Sequence, residues 1–132
     1  MIRIPLLELL RRKKQRIIVI VAGRIAEINP DDQDTEGVLH QIFTIRIDEV
    51  REDLKHSGAA VGQIVTIAIR FGDGAGMHEP IPGLAAGAPI EVCGVYVRAE
   101  DAYAQPDGEQ NPVIHFTHRP LGWVTYDGHR YS

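Results

Sequence analysis

A chain of 132 residues, 44% hydrophobic and with a net charge of −4, is the size of one domain and can bury a core without staples. This composition excludes a disordered chain, and a single cysteine, Cys93, excludes an internal disulfide framework. The longest apolar run, Ile17 to Gly23, is far short of the ~20 residues a membrane-spanning helix needs, and Arg24 interrupts it.

Charge is unevenly placed. The first sixteen residues carry six basic side chains against Glu8 alone, a local net of +5. The remaining eight basic and seventeen acidic residues give −9. An acidic domain does not attract phosphate backbones through its net field, so strong non-specific nucleic-acid binding would need a local basic groove. The lone thiol and the absence of a leader-like run make a cytoplasmic protein the expectation.

Residues 3 to 15 read as a helix. Pro5 suits its first turn, Leu6, Leu9, Leu10 and Lys13 recur at helical spacing, and the basic tail to Arg16 complements a helix C-terminus. Residues 1–16 are thus expected as a basic amphipathic helix, ahead of a β domain over 17–132. Its leucine face would pack on that domain or on a second subunit, giving a homo-oligomer. A membrane- or nucleic-acid-touching arm is the sharper alternative.

The first strand is expected over Ile17 to Ile28, rich in β-branched residues, with Gly23 marking a bulge or tight bend. An acidic, turn-rich loop follows to Gly37. The second strand, Val38 to Val50, alternates clearly. Leu39, Gln41, Phe43, Ile45 and Ile47 share one face; His40, Ile42, Thr44, Arg46 and Asp48 share the other. The third strand is Gln63 to Phe71. The segment Gly72 to Gly87 is irregular, and a loop of that length in a small domain is often functional. Its Gly72-Asp73-Gly74-Ala75-Gly76 stretch lacks the lysine and following helix of a phosphate loop, so a flexible hairpin or lid is expected. The fourth strand is Pro89 to Arg98 and the fifth Pro112 to His118. Asp127-Gly128 then signals a tight hairpin between Val124-Thr125-Tyr126 and His129-Arg130-Tyr131. Five strands with a bent, glycine-bearing first member predict a mainly all-β fold: a five-stranded OB-like barrel with an N-terminal helix and a short C-terminal hairpin.

The set His40-Gln41-x-Phe43, then His78, then His115-Phe116-Thr117-His118, Gly122-Trp123 and Gly128-x-x-Tyr131 resembles a bacterial family of small OB-fold-like proteins of unassigned function. The resemblance spans about residues 20 to 132. It implies the barrel and no activity. The chain departs from that pattern in a longer loop around His78 and in a basic N-terminal segment where an export signal is common.

Six histidines draw attention to metal chemistry, since imidazole is a usual zinc ligand and three such ligands with a water make a hydrolytic centre. The candidates are His40, His78, His115 and His118, with zinc as the candidate ion. His115 and His118 lie three apart, so on a regular strand they diverge. They share a side only if the strand ends or bulges between them, which Arg119-Pro120 suggests. The plainer reading is that each histidine bonds to backbone or carboxylate and orders a loop. No residue is assigned a catalytic role. Ser57 lies in a small-residue loop without nucleophile context, and Cys93 reads as core. The chain is therefore expected to be a binding module rather than an enzyme. Its candidate ligand residues are His40, Arg46, Arg70, His78, His115, His118, Arg119 and Trp123, and its ligand is single-stranded nucleic acid or another small or oligomeric molecule. Two alternatives remain: a metal-assisted hydrolase built on the histidines, and an interaction protein that self-associates through the leucine face. If nothing binds, Trp123 plugs one barrel end and the arginines are merely solvated.

Overall fold

A computed structural model describes residues 16–34, 36–102 and 110–132. The expected helix over 3–15 lies outside the described residues. The described chain is mostly β, in the order β1 (Ile18–Ile28), β2 (Asp32–Gln33), β3 (Leu39–Glu52), β4 (Ile64–Phe71), β5 (Pro89–Val97), β6 (Val113–His115), β7 (Trp123–Tyr126) and β8 (His129–Tyr131). One 3-10 turn covers Ala99–Asp101.

Five of these strands close into a barrel. β1 pairs antiparallel with β3, β3 with β4, and β5 with both β6 and β1, while β4 and β6 run parallel through Thr66–Val113 and Ile67–Ile114. Closure leaves only short edges, which limits unpaired backbone. β7 takes over from β6 along the first half of β5 and turns through Asp127-Gly128 into β8. Both turn residues have positive φ (49° and 76°), as a two-residue hairpin of the primed type requires.

Alternation decides what fills the barrel. Val19, Val21 and Ile25 from β1, Phe43, Ile45 and Ile47 from β3, and Val65, Ile67 and Ile69 from β4 all join the core. Ile90 and Val92 from β5, Ile114 from β6, and Val124 and Tyr126 from β7 complete its wall. Gly23 stands where β1 would otherwise present an inward side chain, and the β1–β3 register shifts between Ala22 and Gly23. The expected bend is thus a bulge at that glycine.

The segment after β4 is more structured than the flexible hairpin or lid expected of Gly72 to Gly76. It is a plug built into one barrel end. Met77 and Ile81 are core residues, 4% and 2% exposed. The buried Gln41 side chain donates from Nε2 to the Ile81 carbonyl (3.0 Å) and accepts from the Ile81 N–H at Oε1 (2.9 Å). Tyr126 donates its hydroxyl to the Gly83 carbonyl (2.8 Å) and accepts from the Ala85 N–H (3.1 Å). The glycines before the plug form a tight turn, in which Asp73 accepts from the Arg70 guanidinium (2.7 Å) and from the Ala75 N–H (3.2 Å).

Gln41→Ala strands the Ile81 backbone groups in a buried place, and each such group costs about 1–3 kcal/mol. The expected outcome is a loss of roughly 3 kcal/mol in urea unfolding, with faster amide exchange confined first to residues 77–85.

Ser57 is likewise structural. It is 1% exposed; its N–H and hydroxyl donate to the Asp53 carboxylate at 2.9 Å, and its Oγ accepts from the Ala59 N–H. Cys93 is 5% exposed, its thiol pushed up in pKa chiefly by burial, and donates weakly to the Leu121 carbonyl. Among the described residues no helix is long and apolar enough to cross a membrane.

Candidate ligand-binding face

Residues that alternate with the core positions of β3, β4 and β6 point away from the barrel interior. Register arranges them in rows: His40 beside Arg70, then Ile42 beside Ala68, then Thr44 beside Thr66 beside Val113. His115 follows Ile114 on β6 and so joins the same outer face. This is a mixed surface with an apolar middle and, at one end, an Arg70 guanidinium paired with Asp73 and neighboured by Asp34 and Glu36.

The chain leaves this face abruptly. β6 ends at His115, three residues earlier than the strand expected to His118. Phe116 has φ of +51°, in the left-handed region, which a bulky residue enters at a cost of about 1–2 kcal/mol. The break expected at Arg119-Pro120, which is a cis peptide bond, therefore comes already at Phe116. With the strand ended, His115 and His118 no longer diverge. Both rings lie against Phe116, at centroid separations of 4.3 and 6.3 Å. Strained backbone at a surface bearing aromatic and titratable side chains is the kind found at binding sites.

Arg16 adds a feature the sequence did not announce. Its guanidinium stands 5.1 Å from the centroid of the Phe116 ring, a cation–π contact. The His115 imidazole is held down to about 4, chiefly by burial and then by the neighbouring His40, Arg16 and His118. At neutral pH His115 is therefore uncharged, with one ring nitrogen a donor and the other an acceptor. His118 is 9% exposed, and its Nδ1 donates to the Arg119 carbonyl (2.8 Å).

Three of the four singled-out histidines thus share one electrostatic neighbourhood. His78 is placed elsewhere. It lines a cleft of about 280 Å³ with Met77, Glu79, Pro80, Tyr131 and Ser132. Among the described residues, no three His, Cys, Asp or Glu side chains are grouped to hold a metal ion.

The remaining candidates are dispersed. Arg46 is exposed on β3, six residues and so about 20 Å along the strand from His40. Arg119 is exposed and donates from Nε to the Ser132 hydroxyl (3.2 Å). Trp123 does not plug the barrel end; Val124 and Tyr126 are the inward residues of β7. Trp123 faces outward, half-buried, with the Arg130 guanidinium 3.7 Å from its ring centroid. Arg130 and Arg51 both reach the Glu91 carboxylate, so this side of the molecule is a self-satisfied charge network. Sequence reasoning overlooked Arg16 and underrated Phe116, because a strand pattern gives no sign of a left-handed residue in its middle.

No protein-family model, no curated protein and no solved structure matches the chain.

Proposed function

We propose that the chain is an OB-type ligand-binding module whose ligand, a single-stranded nucleic acid or similar anionic oligomer, lies across the outer face of β3, β4 and β6. The observation that carries this reading is the convergence of His40, Arg70, His115, Phe116 and Arg16 on one face. The barrel order β1-β3-β4-β6-β5, closed back onto β1 with one parallel pair, supports the OB-type reading, in which the second and third long strands would carry the ligand. Phe116 offers a stacking surface, Arg16 offers charge, Arg70 offers a guanidinium that a phosphate would have to share with Asp73, and neutral His115 offers hydrogen bonds to a base edge.

The acidic remainder of the domain opposes long-range attraction, so affinity is expected to be modest and specific to the face. Fluorescence anisotropy with labelled single-stranded DNA and RNA at low salt tests this. Saturable binding is expected, weakening with salt at a log–log slope of about −1 to −2, as two or so phosphate contacts would give. Arg16→Ala combined with Arg70→Ala should weaken it about tenfold. No rise in anisotropy at ~100 µM protein, the weak end of non-specific binding, would exclude nucleic acid as the ligand.

A further inference from the structure

We infer that His115 takes up a proton when an anionic ligand binds the outer face of β3, β4 and β6, so that acid strengthens binding there. Such uptake presupposes the ligand-binding reading above and adds to it how the face is regulated.

The grouping of side chains supplies the first argument. The His115 and His118 rings lie 4.3 and 6.3 Å from the Phe116 ring, centroid to centroid, and the Arg16 guanidinium stands 5.1 Å from the same centroid. One aromatic ring thus gathers two imidazoles and a guanidinium. The charges that act on His115 come from His40, Arg16 and His118, which all take the same sign when charged.

The neighbouring strands bring no opposite charge to this level. Continuing the β4–β6 register puts Ala68 beside His115 on one side, and Val95 of β5 and then Ile18 of β1 lie on the other. One row further along β4 stands Arg70, paired with Asp73 and neighboured by Asp34 and Glu36. His40 lies between Arg70 and Asp32 of β2. His118 donates from Nδ1 to the Arg119 carbonyl (2.8 Å), and the Arg119 guanidinium turns to the Ser132 hydroxyl. The carboxylates on this face therefore stand beside Arg70 and His40, and none is among the charges that act on His115.

Linkage supplies the second argument. Burial first, and then these like charges, hold the His115 imidazole down to about 4. A phosphate seated among Arg16, His118 and His115 brings the missing opposite charge and favours the protonated ring. That ring then gives the phosphate a charge-assisted donor. With the ring restored to an ordinary ~6.5, the free protein holds it neutral and the complex holds it charged between about pH 4 and 6.5. A proton binds with the ligand, so affinity rises as pH falls through that window.

Fluorescence anisotropy at constant low salt tests this. The probe is oligothymidylate, whose phosphodiesters and bases keep their charge through the window, with a rhodamine label that does not titrate there. The full-length chain is expected to bind about tenfold tighter at pH ~5.5 than at pH ~7.5, as uptake of one proton between about 4 and ~6.5 gives. His115→Gln keeps a hydrogen-bonding side chain but cannot charge, and is expected to tighten by about twofold or less. His129→Gln, on β8 away from this face, controls for the general loss of negative charge in acid and should tighten as the parent does. Equal parental affinity at both pH values, or equal tightening in His115→Gln and parent, would overturn the uptake and leave the ligand reading standing. No binding at either pH would remove the ligand reading and the uptake with it. If His115→Gln does not fold, the imidazole 1H–13C signals of the parent replace it. Saturating oligothymidylate should raise the titration midpoint of the His115 ring by at least one pH unit, and an unchanged midpoint would overturn the uptake.

Discussion

Gly23→Ala is expected to destabilise the barrel by about 3 kcal/mol or more, at the upper end for an overpacked core site. A Cβ at this position would overlap the Arg46 carbonyl oxygen, lie 2.9 Å from the Arg46 carbonyl carbon and 3.2 Å from the Ile47 Cα. All three are backbone atoms of the neighbouring strand, so no side-chain rotation relieves the clash. The strands must move apart where β1 bends, and β1 is paired on both sides, to β3 and to β5. Separating β1 from β3 there disturbs the packing of Val21, Ile25 and Ile47 together. Urea unfolding checks this directly. Gly83→Ala is the control: its φ is +69° and nothing stands near the added atom, so only the conformational cost of about 1–2 kcal/mol should appear. A loss at Gly23 no larger than at Gly83 would mean that the bulge does not govern closure.

Replacing His115 by glutamine is expected to change how stability depends on pH. The folded-state pKa of His115, about 4, lies below the ~6.5 of an unfolded histidine. As pH falls, the unfolded chain takes up this proton first. Stability from a neutral, buried His115 is therefore fully present above pH ~6.5 and is lost progressively down to about pH 4. The displacement corresponds to about 3 kcal/mol across that window. Carboxylates titrate in the same range in both proteins and cancel in the difference between parent and variant. The difference in unfolding free energy should thus slope between pH 4 and 7 by about 3 kcal/mol in total and be flat above 7. Parallel curves would show that the imidazole is solvated and that the face is more open than its burial indicates.

Much of the barrel was legible because strands carry their own signature. β3 alternates from Leu39 to Ile47 and β4 from Ile64 to Phe71, so both core faces followed from Phe43, Ile45, Val65 and Ile67. The hairpin at Asp127-Gly128 was legible because few residue pairs tolerate positive φ so readily. Other features depend on contacts far apart in sequence. The plug between β4 and β5 reads as a loop because its glycines and prolines suit turns. What makes it structure is Gln41, forty residues upstream of Ile81, and Tyr126, more than forty downstream. A glutamine on an apolar strand face gives no local hint of its partner.

The candidate site shows the same division. His40 and Arg70 were legible as polar residues on outward positions, and antiparallel register brings them side by side. His115 and His118 were legible as a pair but not as neighbours, since strand periodicity sets them on opposite faces. Their meeting depends on the single left-handed residue Phe116. Arg16 read as one more charge in a basic segment. Its place over Phe116 follows from where β1 enters the barrel, which is a property of the closed topology.

The most direct measurement is a 1H–15N correlation spectrum of the full-length chain titrated with a short single-stranded oligonucleotide. The proposed binding face predicts shift changes centred on the amides of His40, Ala68, Arg70, His115 and Phe116, with little change at Trp123, Thr125 and Arg130. Changes centred instead on β7 and β8 or on the cleft beside His78, or none at saturating oligonucleotide, would contradict it.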